Sequence, residues 1–288
     1  MEDTLLQAAQ GQLRRQLTAY FLTTFALSWG VFGYALAFGI AQSPIVILGV
    51  WGPTLSAIIV TVIFYGKDGL KRFFGRVNAR EGLKWFLPLL GFFLLIGFTG
   101  NFIGSAAAGI EFAPKFWGWA WVAQVLIMQL VIAGLGEEFG WRGFALQRLQ
   151  HMMTPLRATL VIAFFHLLWH APTYWLGQGM HNVPAIWAAF FLLPWTILFT
   201  WAYNKSKGSI LVSVFFHGTM GATLTYTAFL PSEHVAPVSP DLITLMWLPD
   251  GVMGPYLGVA ILYWVLALYI LRGGLGGLGT PPKFEHPI

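Results

Sequence analysis

Eight apolar stretches, each close to the length of a membrane span, dominate this 288-residue chain. A helix needs about 20 consecutive apolar residues to cross a bilayer core. Only 9% of the residues are charged, whereas an ordinary soluble domain has about 25%. So few charged residues cannot cover the surface of a soluble protein. The sequence therefore predicts an all-α, polytopic membrane protein with about eight transmembrane helices. The stretches lie at roughly 17–40, 45–65, 84–108, 117–145, 157–177, 183–203, 209–230 and 252–271.

The basic residues predict how these spans are oriented. With eight spans, fifteen of the sixteen Lys and Arg residues fall on one side, and only Lys115 falls on the other. Because Lys and Arg are concentrated in cytoplasmic loops, we expect both termini in the cytoplasm. The net charge of +5 is explained by topology, so no nucleic-acid partner is expected.

The span pattern predicts a single transmembrane domain over residues 1–272, followed by a flexible cytoplasmic tail at 273–288, which is rich in Gly and Pro. The chain has no cysteine, which excludes disulfides, thiolate metal sites and Cys nucleophiles.

Ionisable side chains inside a span are costly and are treated as functional candidates. Those in or near the predicted spans are Glu137, Glu138, Arg142, His166, His170 and His217. On regular helices, Glu137, His170 and His217 lie about 16, 20 and 15 Å from the cytoplasmic face. Similar depth on three separate spans favours one shared site.

The two adjacent acids are expected to differ in role. Glu138 and Arg142 are spaced i and i+4, so they can form an ion pair on one helix face. Glu137 points about 100° away and is free to act as a base beside a neutral imidazole. The alternative is a charged helix end at the cytoplasmic interface.

The histidines also have two interpretations each. His166 and His170, again i and i+4, suit a metal such as zinc, but the Glu of the metalloprotease pattern is replaced by Leu167. Otherwise they are packing residues bonded to a carbonyl or to each other. A lone histidine on a span, such as His217, is by itself more often a structural hydrogen-bonding residue than a functional one.

Together these residues resemble the CPBP or ABI family, which joins type II CAAX prenyl proteases with bacteriocin-processing and immunity proteins. Glu137, Glu138 and Arg142 match its Glu-Glu-x-x-x-Arg motif. His170-Ala-Pro matches the second motif, with His166 in place of an aromatic residue. The third, His-x-x-x-Asn or Asp, begins at His217 but ends on Gly221. The resemblance covers about residues 130–225.

The resemblance implies a metal-independent intramembrane endopeptidase that cleaves a peptide bond near the cytoplasmic face. Glu137 would activate water, His170 would share that water, and His217 would stabilise the oxyanion. Glu138, Arg142 and His166 would support them. Gly221 removes one expected oxyanion donor, for which Thr219, Thr223, His166 or a backbone N–H are the candidate substitutes.

Three other functions stay open. The first is a non-catalytic immunity or scaffold protein on the same fold, and the second is a zinc-dependent membrane hydrolase using Glu137, His166, His170 and His217. The third is a transporter with a proton relay. For the peptidase we expect no cofactor and a peptide or protein substrate, including a lipid-anchored one, but not a prenylated GTPase. Short loops indicate the inner membrane of a bacterium.

Overall fold

The computed structural model describes residues 2–109, 111–112, 119–173, 185–227 and 250–282 of the chain. The first half contains four helices: α1 (Glu2–Ala37), the short α2 (Val46–Val50), α3 (Gly52–Gly75) and α4 (Ala79–Ala108). The backbone of α3 is broken at Gly66, where φ is 62°. The Asn78 side chain caps α4 by accepting a hydrogen bond from the Glu81 N–H.

Residues 119–150 form one interrupted helix, here called the central rod. It consists of α5 (Trp119–Met128), a first π-helical segment (Gln129–Gly134), α6 (Leu135–Gly140), a second π-helical segment (Trp141–Leu146) and α7 (Gln147–Gln150). π-helical turns inside α-helices frequently mark functional sites. The two acids predicted as functional lie in α6, between the two π segments.

Four further helices complete the described fold: α8 (Pro155–Trp169), α9 (Ala185–Lys205), α10 (Ile210–Thr227) and α11 (Asp250–Leu271). α8 begins at Pro155 because proline suits the first helical position and the Thr154 hydroxyl accepts a hydrogen bond from the Arg157 N–H. α8 ends at Trp169, well before the predicted limit at 177, and His170 is its C-cap. Residues 174–184 and 228–249, which include the predicted turn at 177–182, lie outside the described residues.

The helical architecture fits the predicted membrane protein. Among the described residues, three helices are long and apolar enough to span a bilayer: Gln7–Ala37, Ala79–Ala108 and Ala123–Gln150. Pro155–Trp169, Ile210–Thr223 and Leu257–Leu271 are apolar but shorter. Each predicted span overlaps one of the observed helices. The number of spans and their orientation stay predictions.

Two clusters of buried side chains hold the helices together. In the first, Trp141 and Phe144 of the rod pack with Tyr20 of α1, Phe73 of α3 and Ile162 of α8. The second joins α4, α9, α10 and α11 through residues that include Phe93, Phe199, Phe216 and Tyr263. The rod lies against both α3 and α10, so its polar residues are held between the two clusters.

Part of the predicted tail has a defined structure. The Asn204 amide, near the end of α9, donates to the Leu278 carbonyl at 2.9 Å and to Gln150 Oε1 at 2.8 Å. Residues 273–282 thus run beside the end of the rod, and residues 283–288 are outside the described part. The domain boundary at 272 stays a prediction.

Candidate active site

Small residues let the backbone of α6, the helix that carries Glu137 and Glu138, pack closely against its neighbours. A Cβ added at Gly140 would come within 2.5 Å of the Pro53 carbonyl, and one added at Gly136 would lie 2.9 Å from the Trp51 ring. The Thr54 hydroxyl donates to the Leu135 carbonyl at 2.7 Å. One face of α6 is therefore pressed against the start of α3, which directs the two glutamates toward the other helices.

Glu137 is 3% exposed and forms a hydrogen bond with α8. Its Oε2 lies 2.9 Å from Nε2 of His166, so an ionised Glu137 can accept a hydrogen bond from an N–H group at that nitrogen. The sequence assigned His166 a supporting role, and the structure makes it the direct partner of Glu137. The second carboxylate oxygen of Glu137 forms no hydrogen bond with another described residue.

Glu138 is fully buried and is bound from two sides. Its Oε1 accepts from Arg142 Nη1 at 2.9 Å and lies 2.8 Å from Nδ1 of His217. The Arg142 guanidinium also stacks on Phe199, 3.8 Å from the ring centroid. The predicted Glu138–Arg142 ion pair is confirmed. The two acids differ in their partners, since Glu138 has a permanent cation and Glu137 has only an imidazole.

His170 completes the cluster without a direct bond to Glu137. Its ring stacks on His166 with centroids 5.0 Å apart and an interplanar angle of 24°. One carboxylate oxygen of Glu137 and one ring nitrogen each of His166 and His170 lie within 4.8 Å of one another. A single water can bridge polar atoms at that separation.

His217 reaches the two glutamates from a different helix, α10. Donor atoms of Glu137, Glu138 and His217 also lie within 4.8 Å of one another. Glu137 therefore belongs to both groups, and the predicted convergence of Glu137 with His170 and with His217 is observed. His170 and His217 are half-buried, whereas Glu137 and His166 are buried. The site is therefore more accessible at His170 and His217 than at Glu137 and His166.

Aromatic rings support the histidines. His166 packs against Trp141 with centroids 5.0 Å apart and the rings tilted by 30°, and Trp169 packs edge-on against His170 at 4.7 Å. His166 Nδ1 and His170 Nδ1 form no hydrogen bond among the described residues. The rings are therefore oriented by packing, and only His166 is also held by Glu137.

The sequence proposed Thr219 and Thr223 as substitutes for the side chain that Gly221 lacks. Both hydroxyls donate to carbonyls of their own helix, Thr219 to Phe215 at 2.6 Å and Thr223 to Met220 at 3.1 Å. Gln129, which no motif marked, lies instead beside Gly221: a Cβ added at Gly221 would be 2.5 Å from Gln129 Oε1. In the sequence, the only hint that another residue fills this place was the missing side chain at position 221.

Comparison with known proteins shows similarity to one group of proteases. Residues 118–223 match the model of the Rce1-like type II CAAX prenyl endopeptidase family, and this range contains all six candidate residues. The chain is also 27% identical over 227 residues to "CAAX prenyl protease 2" of Methanococcus maripaludis, covering 69% of this chain and 80% of that protein. The family match and this relative confirm the resemblance: the chain is similar to CAAX proteases over the part that carries the candidate residues.

Proposed function

We propose that the chain is an intramembrane endopeptidase in which Glu137 activates a water molecule for attack on a peptide bond. The observation that carries this proposal is the position of Glu137: a buried carboxylate with no Lys or Arg partner among the described residues and with histidines on two sides. A carboxylate without a permanent counter-charge can take a proton from water in a low-dielectric site.

Each neighbour has a distinct part in the proposed reaction. His166 Nε2–H holds one oxygen of Glu137 and leaves the other for the water, which His170 shares. As the water oxygen bonds to the scissile carbonyl carbon, its proton passes to Glu137 and the carbonyl becomes an oxyanion. The oxyanion then collapses, the C–N bond breaks, and Glu137 returns the proton to the leaving amine.

Glu138 and Arg142 act as positioning residues in this scheme. Their ion pair fixes His217 through the Nδ1 contact of 2.8 Å. An ionised Glu138 accepts a hydrogen bond from Nδ1–H of His217. When the ring also carries a proton on Nε2, that N–H group can donate toward the developing oxyanion.

The proposed substrate is the tail of a membrane-attached protein, with a prenylated CAAX sequence as the first candidate. This choice revises the expectation from the sequence, which was a substrate other than a prenylated GTPase. The name of the archaeal relative supports this class of substrate. Eight spans with both termini in the cytoplasm would place the reaction near the cytoplasmic face, as the distribution of Lys and Arg suggests. The bacterial inner membrane stays a prediction from the loop lengths.

Cleavage by the purified full chain in lipid vesicles tests the proposal. The probe is a synthetic peptide that ends in a farnesylated CAAX sequence, with the same peptide lacking the lipid as the matched control. We expect mass spectrometry to find cleavage near the lipidated cysteine and much slower cleavage of the control. If neither peptide is cut, the non-catalytic scaffold is the better description.

A zinc-dependent hydrolase is the second candidate, favoured by the donor atoms of Glu137, His166 and His170 within 4.8 Å of one another. One carboxylate and two imidazoles fit catalytic zinc, which keeps a further position for water. Metal analysis of the active protein separates the candidates. The glutamate mechanism predicts well below one zinc per chain and unchanged turnover with a chelator, and stoichiometric zinc lost together with activity would contradict it.

A further inference from the structure

The face of α10 that carries His217 has a gap one turn farther along, at Gly221. Four residues of helix separate the two positions by about 6 Å. Gly221 has no side chain, and the space beside it is taken by Gln129 of the first π segment: an added Cβ would lie 2.5 Å from Gln129 Oε1 and 2.9 Å from its Cδ. The carboxamide therefore stands where a side chain of α10 would otherwise begin.

The position of Gln129 is set by close antiparallel packing between the first π segment and α10. A Cβ added at Gly134 would lie 2.9 Å from the Val214 carbonyl. One added at Gly218 would overlap the Leu130 side chain. Because glycines at both places let the backbones approach, the residue that starts the π segment is held opposite Gly221.

The carboxamide of Gln129 is available as a donor. It forms no hydrogen bond with another residue in the described part of the chain, and it is half-buried. The neighbouring hydroxyls of Thr219 and Thr223 already donate to carbonyls of α10. Rotation of the amide plane exchanges its oxygen and nitrogen, so the same place can present an N–H group.

We infer that Gln129 is a further catalytic residue, whose side-chain N–H binds the scissile carbonyl oxygen next to His217. This inference rests on the proposed endopeptidase function. As water attacks, the carbonyl electron pair moves to the oxygen, and the resulting negative charge is stabilised by the Gln129 amide. The amide gives up no proton, and collapse of the oxyanion restores the carbonyl as the C–N bond breaks.

Removal of the amide tests the inference in the vesicle assay. Gln129→Met keeps the length without a donor, and Gln129→Glu keeps the shape with a charged acceptor. We expect both variants to lower kcat by about 10²–10³, the usual loss for one oxyanion donor, with KM nearly unchanged. A thermal unfolding midpoint close to that of the wild type confirms that each variant folds.

A swap between the two helices separates a chemical role from a packing role. Gln129→Ala makes room at position 221, and Gly221→Asn then returns an amide from α10. We expect the kcat of the double variant to be at least tenfold higher than that of Gln129→Ala. The single variant Gly221→Asn places its side chain against Gln129, so we expect no gain in kcat over the wild type.

Three results overturn the inference in distinguishable ways. Turnover of Gln129→Met and Gln129→Glu within threefold of an active wild type rejects the role of Gln129 and leaves the peptidase proposal intact. A wild type that cleaves neither peptide rejects both. An active wild type in which the double variant stays as slow as Gln129→Ala also counts against a donor role.

Discussion

The two adjacent glutamates have different electrostatic surroundings although they are neighbours in the chain. Glu138 is bound by Arg142 and His217, and Glu137 is bound by His166. Adjacent residues of a helix point about 100° apart, so each acid faces a different neighbouring helix. This geometry lets one acid hold the structure while the other keeps an oxygen for water.

Arg142→Met should be strongly destabilising. It leaves Glu138 as a fully buried carboxylate without its cation, and breaking a buried pair in this way typically costs about 3–5 kcal/mol. Thermal unfolding of the purified protein in detergent measures the effect.

Lys84→Met provides the matched control for that variant. It removes the partner of Glu81 in an exposed pair of 2.9 Å, and exposed pairs contribute little to stability. We expect its unfolding midpoint to equal that of the wild type. Equal midpoints for both variants would contradict the structural role given to Arg142.

The sequence predicted part of this site and missed the rest for a physical reason. The Glu138–Arg142 pair follows from i, i+4 spacing within one helix. The bond between Glu137 and His166 joins two helices, so its geometry depends on how α8 packs against the rod. Gln129 belongs to no motif, and its importance appears only when Gly221 is placed opposite it.

At the scale of helices, close approach through glycine organises the fold. A Cβ added at Gly100 of α4 would lie 2.6 Å from the Val259 Cα of α11, and one at Gly258 would overlap the Gly100 carbonyl. Small residues let helix backbones come close in membranes, where packing drives association. α4 and α11 are held together in this way.

Gly100→Ala should therefore lower the stability of the folded protein. The added methyl group forces α4 away from the α11 backbone, and overpacking of this kind typically costs about 1–3 kcal/mol. Gly91→Ala is the control on the same helix, because a Cβ there meets nothing within 4 Å. We expect a lower unfolding midpoint for the first and an equal or higher one for the second. The reverse order would contradict the packing of α4 on α11.

The helices themselves were largely predictable, and their irregularities were not. Apolar stretches of about 20 residues identify helices in membranes, and each predicted span overlaps an observed helix. Both π segments contact α10, and the second also contacts α3; hydropathy does not encode such contacts. The end of α8 at Trp169 was missed because the apolar stretch continues beyond it.

For the whole molecule, the distribution of charge predicts the topology. With eight spans, fifteen basic residues fall on one side and Lys115 on the other, which favours an even number of spans. Because the chain has no cysteine, single cysteines can be introduced without background labelling.

Arg80→Cys and Lys115→Cys test this topology in intact cells with a membrane-impermeant maleimide. We expect labelling at position 115 in intact cells and labelling at position 80 only after the membrane is opened. The unmodified chain serves as the unlabelled control. Labelling of both positions from the same side would contradict the arrangement with eight spans.

The central claim, that Glu137 activates the attacking water, is tested most directly by the turnover of Glu137→Gln on the farnesylated peptide. Glutamine can still accept the hydrogen bond from His166, so the variant should fold and bind the peptide as the wild type does. It cannot take a proton from water, and general base catalysis typically contributes about 10²–10⁴ in rate. We predict a fall in kcat of at least about 10², and a kcat within threefold of the wild type would contradict the account.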